Sequence, residues 1–329
     1  MPLIIPERPV LEDLPFRDIY LSGDGNVEAR FNPLRRPQYN DLPKNAAVPE
    51  EFRRCINDLI NQAEEYEPGR RDFALQLDTM RVRVIRTVSY DGYREYCFRK
   101  LPNDIPAFDQ LNYDAEFTEE SMSWCDRDGL ILVMGKTGSG KTTMIMSLLD
   151  LWCDEPGGVT LTIEDPVEFK LRKTGHGFKT IQWEAKSPDE WPAMVNDCLR
   201  YAPDTVLCGE VRTPATAAAV INLAGSGHRV IASVHGSSIA AGIQRFLGLA
   251  QGSEMGLAAN DAFAEAFIGA AWQKIENGKP VVDFLPTVRD GTTDPCRQYI
   301  RNGDLKMIPG IITRLKNARQ NDKLRGVRR

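Results

Sequence analysis

A chain of 329 residues, 42% hydrophobic and 26% charged, has room for two ordinary cores and the make-up of a globular protein. No apolar run approaches the ~20 residues that cross a bilayer, and the opening MPLIIPERPVLEDLP lacks the basic, apolar and small-residue succession of a secretory leader, so a cytoplasmic location is expected. A net charge of −5 gives no support to a protein that coats nucleic acid, and seven cysteines without a CxxC pair argue against both a zinc module and a disulfide framework.

In chain order, FRDIYLSGDGNVEARF (16–31) predicts two short strands joined by a turn. Phe52, Ile56, Leu59 and Ile60 recur at helical spacing within 50–65. FALQLDTMRVRVIRTVSYDGYREYCFR (73–99) alternates about a central Asp-Gly turn and predicts an antiparallel meander. These elements make a small α+β unit. LPNDIPAFDQL (101–111) reads as the linker out of it, because each proline stops regular structure. Beyond it strands alternate with helices, which predicts an α/β fold with a mostly parallel sheet covered on both faces. The basic end KLRGVRR (323–329) reads as a solvated tail, and His176 in TGHGF as a loop residue.

The most informative stretch is GKTGSGKT (135–142), between the apolar GLILVM and the helical MIMSLLDLW. It fits GxxxxGK followed by Thr. Its glycines let the backbone curl so that successive N–H groups face phosphate oxygens at the start of a helix, whose dipole also favours an anion. Gly135, Lys136, Thr137, Gly138, Ser139, Gly140, Lys141, Thr142 and Thr143 are therefore the candidate ATP-binding residues. Lys141 is expected to reach the β- and γ-phosphates, and the Thr142 hydroxyl to ligate Mg²⁺.

Three further strands end in groups capable of chemistry: GVTLTIEDPVEF in Glu164, DTVLCGEVR in Glu210 with Arg212 just beyond, and HRVIASVHGSS in His235. Ligands of open parallel sheets bind at the carboxyl ends of the strands, so these groups are expected to converge on the phosphate loop. Gly209 stands where the second nucleotide motif commonly has aspartate, which leaves Glu210 to serve Mg²⁺, in one reading through water, and makes Glu164 the available carboxylate for activating the attacking water. His228 and His235 bracket one strand and would lie about 23 Å apart when extended, so they cannot share a ligand. His235, at the carboxyl end, is the better γ-phosphate sensor.

The ordered set RVRV (81–84), FRKLPNDIPAFDQL (98–111), GKTGSGKTT, TIEDPVEF (162–169), LRYAPDTVLCGEVR (199–212), GHRVIASVH (227–235) and YIRNGDLKMIPGII (299–312) resembles the secretion, or traffic, ATPases of type IV pili and of type II and type IV secretion. By that resemblance TIEDPVEF is the family's acidic box, LRYAPDTVLCGEVR its Walker B, which carries Gly-Glu in the family as here, and GHRVIASVH its histidine box. The resemblance implies an N-terminal extension (1–12), a PAS-like α+β domain (13–100), a linker (101–123) and a RecA-like P-loop core (124–329). It implies ATP and Mg²⁺ as ligands and Glu164 as the catalytic carboxylate. It also implies a homo-hexamer that works with inner-membrane platform or secretion-channel proteins, without a transmembrane segment or direct nucleic-acid binding, and is held peripherally at the membrane by those partners. Arg81, Arg83 and Arg99 fall in blocks whose arginines contact nucleotide in the family, and Arg212 is the local alternative.

The paired-cysteine zinc insertion that members driving type II secretion or pilus assembly usually carry after the histidine box is absent, and the leading region is too short for their extra domains, so the chain is expected to stand nearest the compact retraction, conjugation or type IV secretion members. Two other readings compete with an ATPase motor. A RecA-like nucleic-acid translocase would need a basic channel, against the net charge, and a nucleotide-binding scaffold without hydrolysis sits poorly with an intact Lys141, Glu164 and Glu210.

Overall fold

Antiparallel pairing builds the first part of the chain and parallel pairing the second. The computed structural model describes residues 10–14, 16–22, 25, 27–31, 45–78, 80–154, 157–175, 177–287 and 294–324. His176 and most of the basic tail lie outside these residues. The chain divides into two units, Met1–Asp104 and Ile105–Arg329.

In the first unit, β1 (Phe16–Leu21), β2 (Val27–Phe31), β3 (Asn45–Ala47), β4 (Asp72–Gln76), β5 (Arg81–Val88) and β6 (Arg94–Lys100) form one sheet in the order β3-β2-β1-β6-β5-β4. Every pair is antiparallel. The expected hairpin and meander are both present, joined by the β1–β6 pairing, which brings together residues about 80 positions apart, such as Asp18 and Arg99. Helix α1 (Arg53–Glu65) lays Ile56, Leu59 and Ala63, with Phe52 just before it, against Phe73, Val82, Val84 and Phe98. The last carbonyls of a helix have no partner within it. Here Arg86 serves them from β5: its guanidinium donates to the carbonyls of Ala63, Tyr66 and Glu67, and to that of Arg70. The cation also suits the negative end of the helix dipole.

In the second unit, β7 (Gly129–Gly135), β8 (Gly158–Glu164), β9 (Thr174–Gly175), β10 (Phe178–Glu184), β11 (Thr205–Cys208), β12 (Arg229–His235), β13 (Phe267–Glu276) and β14 (Lys279–Pro286) form a sheet in the order β14-β13-β7-β12-β11-β8-β10-β9. The run from β13 to β10 is parallel throughout, and β14 and β9 close the two edges antiparallel. Helices cover both faces. α2 (Ala115–Ser123) and α3 (Lys141–Asp154) bury Phe117, Met144, Leu148 and Trp152 with Ile131, Val133, Leu207 and Ile231. The other face carries Leu130, Leu132, Ile163, Val206 and Val230 under α4 (Trp191–Cys198), α5 (Pro214–Gly225), α6 (Ile239–Gln251) and α7 (Ala258–Ala266), with α8 (Pro295–Arg301) and α9 (Ile308–Leu324) beyond. Burial on both sides explains why these strands read as unbroken apolar runs rather than alternating ones.

The reading of 101–123 as linker needs correction over most of its length. Residues 105–123 belong to the second unit, where Phe108 and Phe117 are buried and Ile105, Leu111 and Tyr113 pack against the α3 face. The prolines stop regular structure as expected, but the apolar side chains between them still leave water, and Phe117 stacks at a tilt on Phe284 of β14. Among the described residues no helix is long and apolar enough to cross a membrane.

Replacing Arg86 by Met keeps the bulk of the side chain while removing the guanidinium donor from four carbonyls, of which that of Glu67 still accepts from the Arg70 N–H. Each partner so lost is worth roughly 1 kcal/mol or more, so amide exchange over 59–65 should accelerate at least tenfold. Hydrogen-exchange mass spectrometry checks this; unchanged protection would mean that water satisfies the helix end equally well.

Candidate active site

All seven residues of β7 are buried, so the strand is fixed in place up to Gly135. The chain must then turn at once into α3, and two glycines make that turn possible. A Cβ at Gly135 would come within 2.4 Å of the Gln273 carbonyl oxygen and of Ser139 Oγ, and Gly140, at φ +84°, would place one 2.6 Å from Gln273 Nε2. Lys136, Thr137 and Gly138 are exposed, Ser139 is buried, and Gly140, Lys141, Thr142 and Thr143 are half-buried at the mouth of α3. Lys141 Nζ turns back on the loop and donates to the carbonyls of Gly135 and Lys136, both at 3.2 Å. Burial lowers its pKa, opposed by the negative charges of Glu210 and Glu168.

Strand order sets what faces the loop. β12 lies beside β7, with His235 directly across from Gly135; β11 follows, then β8. Glu210, two residues past β11, holds the centre of a charged group: Oε1 is 2.8 Å from His235 Nε2, and Oε2 accepts from Arg212 Nη2 at 2.6 Å. Burial pushes the Glu210 carboxyl up, but the hydrogen bond and charge of Arg212, with His235 and Lys141, outweigh it and hold it below the ordinary carboxylate value. It is therefore ionised at neutral pH.

Glu164 stands differently. It ends β8, three strand spacings or about 14 Å along the sheet from β7. Only 4% of it is exposed. Its Oε1 accepts from Thr162 Oγ1 at 2.7 Å and from Gln182 Nε2 at 3.2 Å. Burial pushes its carboxyl up to about 7, against those two bonds and one from the Glu168 backbone, which favour the ionised form. Thr162 and Glu164 alternate with Leu161 and Ile163, whose side chains are in the core on the opposite face, so Glu164 is on the side of the sheet that α3 covers. The turn after it carries Glu168, whose charge reaches both Glu164 and Lys141. His228 is removed from this group at the amino end of β12, where its Nδ1 pairs with Ser226 Oγ at 3.1 Å.

Gln273 and Tyr113 were not singled out from the sequence. Gln273, 2% exposed on β13, donates from Nε2 to the carbonyl of Ser139 at 2.7 Å and accepts from Tyr113 Oη at 2.7 Å. It holds the phosphate loop from beneath. A buried glutamine inside the apolar FIGAAWQKIE is a signal that something polar must meet it, although its partner cannot be read from the sequence.

The arginines expected near nucleotide from the first unit share one strand face. Arg81 and Arg83 alternate with Val82 and Val84, which are fully buried. Arg83 forms a two-point bond to Asp72, at 2.8 and 2.5 Å, and Arg99, its partner across β5 and β6, donates to Asp18 at 2.7 Å.

A parallel sheet of this order, with a phosphate loop ending one strand and acids ending two others, defines a RecA-like P-loop ATPase. The type II/IV secretion system protein family matches residues 61–275, and the chain belongs to that family. It is 26% identical over 276 residues to the competence protein ComGA of Streptococcus pneumoniae, covering 84% of this chain and 82% of that protein. Its fold is similar to that of the Legionella pneumophila ATPase DotB (TM-score 0.69, 20% identity, 91% and 85% of the two chains). It is equally similar to the pilus retraction motor PilT with bound ADP (TM-score 0.69, 23% identity, 92% and 86%). The ATPase assignment made from the ordered motifs therefore holds, and the nucleic-acid translocase is not favoured.

Gln273→Leu removes the donor to the Ser139 carbonyl at nearly constant volume. The nucleotide affinity of that variant, read by fluorescent ATP-analogue titration, should fall about tenfold, the size of one buried hydrogen bond left unmade. Unaltered affinity would show that the loop holds its shape without Gln273.

Proposed function

We propose that this chain is the ATP-hydrolysing subunit of a homo-hexameric motor that drives a type IV pilus or a type IV secretion or conjugation machine from the cytoplasmic face of the membrane. The observation that carries the reading is the meeting, at one sheet edge, of the phosphate loop with the ionised Glu210 and the buried Glu164. The residues suit Mg-ATP. Lys141 bonds the loop's own carbonyls, contacts that a phosphate can replace, and Glu210 keeps its negative charge in a half-buried place. Thr142 and Glu210, the latter directly or through water, are the residues to hold Mg²⁺, which when bound neutralises charge on the β- and γ-phosphates. The platform or channel proteins of such a machine are the partners this reading assigns, and a PAS-like character for the first unit belongs to the same proposal.

In the mechanism, the loop N–H groups and Lys141 bind and orient the phosphates, and His235 senses the γ-phosphate from its place across from Gly135. Glu164 takes the proton of the attacking water. Its dry setting gives a carboxyl that is a stronger base than an ordinary glutamate, near the pH at which it must work. Arg212 keeps Glu210 in place, and Arg81, Arg83 and Arg99 supply further positive charge to the transition state, in trans across a subunit boundary.

Glu164→Gln should still bind Mg-ATP but turn it over roughly 10² to 10⁴ times more slowly, as removal of a general base requires. Glu210→Gln should instead raise the Mg²⁺ concentration needed for half-maximal rate. Because the base works ionised and its pKa is raised to about 7, the wild-type kcat should fall as pH drops through that value, and the limb should vanish in Glu164→Gln. Equal loss of nucleotide affinity in both variants, or a wild-type limb that persists in Glu164→Gln, would reject the division of roles.

Arginines acting in trans can be separated from Arg212 by mixing subunits. Lys141→Ala chains and Arg81→Ala, Arg83→Ala chains should each be inactive alone, since an arginine at phosphoryl transfer contributes about 10³ to 10⁵ in rate. Mixed rings should regain part of the ATPase rate, because some interfaces then pair an intact loop with intact arginines. No recovery in rings shown by native mass spectrometry to be mixed would leave Arg212 as the better candidate.

A further inference from the structure

Two side chains that hold no nucleotide in the mechanism above converge on Glu164. Thr162 precedes it by two residues on β8, and Gln182 on β10 is directly across from Thr162 in the parallel register. Both donate to the same oxygen, Oε1, at 2.7 and 3.2 Å. Gln182 does more than this. Its Nε2 also donates to the Phe169 carbonyl at 2.9 Å, and its Oε1 accepts from the Leu171 N–H at 2.8 Å. Two residues further along β10, Glu184 accepts from the Val167 N–H at 3.1 Å. The turn that leaves Glu164 is therefore tied to β10 at several points, and one glutamine amide joins that turn to the carboxylate.

The placement of these polar groups is costly unless it serves something. Thr162 is fully buried and Glu164 nearly so, so a hydroxyl and a carboxylate have been taken out of water together, with the half-buried Gln182 amide against them. A simple structural strand would gain from apolar side chains at such positions, as β7 does. Here the donors meet a carboxylate that has to present its remaining basicity in one direction. An oxygen held from two sides fixes the plane of the carboxylate, since rotation about its last bond would break both hydrogen bonds, each of them strengthened by the charge on the acceptor.

We propose that Gln182 and Thr162 are positioning residues for ATP hydrolysis, which hold Oε1 of Glu164 so that its carboxylate meets the attacking water in one fixed orientation. This rests on the reading of Glu164 as the base. It predicts an effect on turnover and not on binding, because neither side chain belongs to the phosphate loop or the Glu210 group.

The test is a double-mutant cycle on the full chain, with kcat and KM for Mg-ATP and the affinity for a fluorescent ATP analogue measured for each variant. Gln182→Met keeps length and removes both functions of the amide, and Thr162→Val removes a hydroxyl whose hydrogen bond goes to Glu164, so the second variant leaves the turn's own bonds to Gln182 in place. Each should lower kcat roughly tenfold, the size of one hydrogen bond to a charged group, with KM and analogue affinity changed less than about twofold. Thr162→Ser, which keeps the hydroxyl, should restore most of what Thr162→Val loses. In the Glu164→Gln background both substitutions should be nearly silent, since groups acting through one residue are not additive with it. A drop in kcat that persists undiminished in that background, a loss expressed in nucleotide affinity instead of turnover, or no loss in either variant while Glu164→Gln is slow, would overturn the positioning role alone. A Glu164→Gln enzyme that turns over ATP at the wild-type rate would instead remove the base, and this proposal with it.

Discussion

A parallel sheet buried on both faces has one place for polar chemistry, and the rest of the second unit follows from that constraint. Side chains of β7, β8, β11 and β12 within the sheet are enclosed between α2 and α3 on one side and α4 to α7 on the other. The backbone hydrogen bonds of the strands are satisfied within the ladder. Polarity is then affordable where the strands stop, and the parallel direction makes all of them stop at the same edge. Gly135, His235, Glu210 and Glu164 are there because each is at or just past a carboxyl end, not because they are close in the chain. One antiparallel strand in the run from β7 to β8 would send its terminal group to the opposite edge.

Within that edge the carboxyl pKa values of the two acids are shifted in opposite directions. Glu210 is surrounded by Arg212, His235 and Lys141, and these outweigh its burial and keep it charged. Glu164 has hydrogen-bond donors but, among the described residues, no comparable cation beside it, so burial prevails and its carboxyl rises to about 7. A charged acid suits a metal and a more basic one suits a proton. The division of roles proposed for them rests on these neighbours, and a difference in residue type is not needed to produce it.

The phosphate loop shows a related economy. It has to be irregular to present its N–H groups inward, yet an irregular loop over a sheet edge would be soft. Gln273 stiffens it from β13 by bonding the Ser139 carbonyl, and Tyr113 completes the glutamine's own needs. Gly135 and Gly140 let that support approach closely, since a methyl group at either would collide with Gln273. The segment around Tyr113 is therefore part of the core unit in a functional sense as well as by packing.

Much of this was legible in the sequence. GKTGSGKT between an apolar strand and a helix determined the phosphate loop, because tight turning, anion binding and helix initiation each restrict residue type locally. The terminal Glu164, Glu210 and His235 were legible because a strand's end can be seen from where its apolar run stops. The alternation of Arg81 and Arg83 with Val82 and Val84 likewise gave the two faces of β5. What the sequence left undecided was every partner chosen across the sheet: Gln182 on Glu164, Gln273 on Ser139, Arg86 on the end of α1, and the packing of 105–123 against α3, where prolines had suggested a linker. The first two of those contacts join residues 18 and 134 positions apart. Local periodicity records which side of a strand or helix is buried, but strand order and register decide what it meets there, and these are set by the packing of the whole sheet.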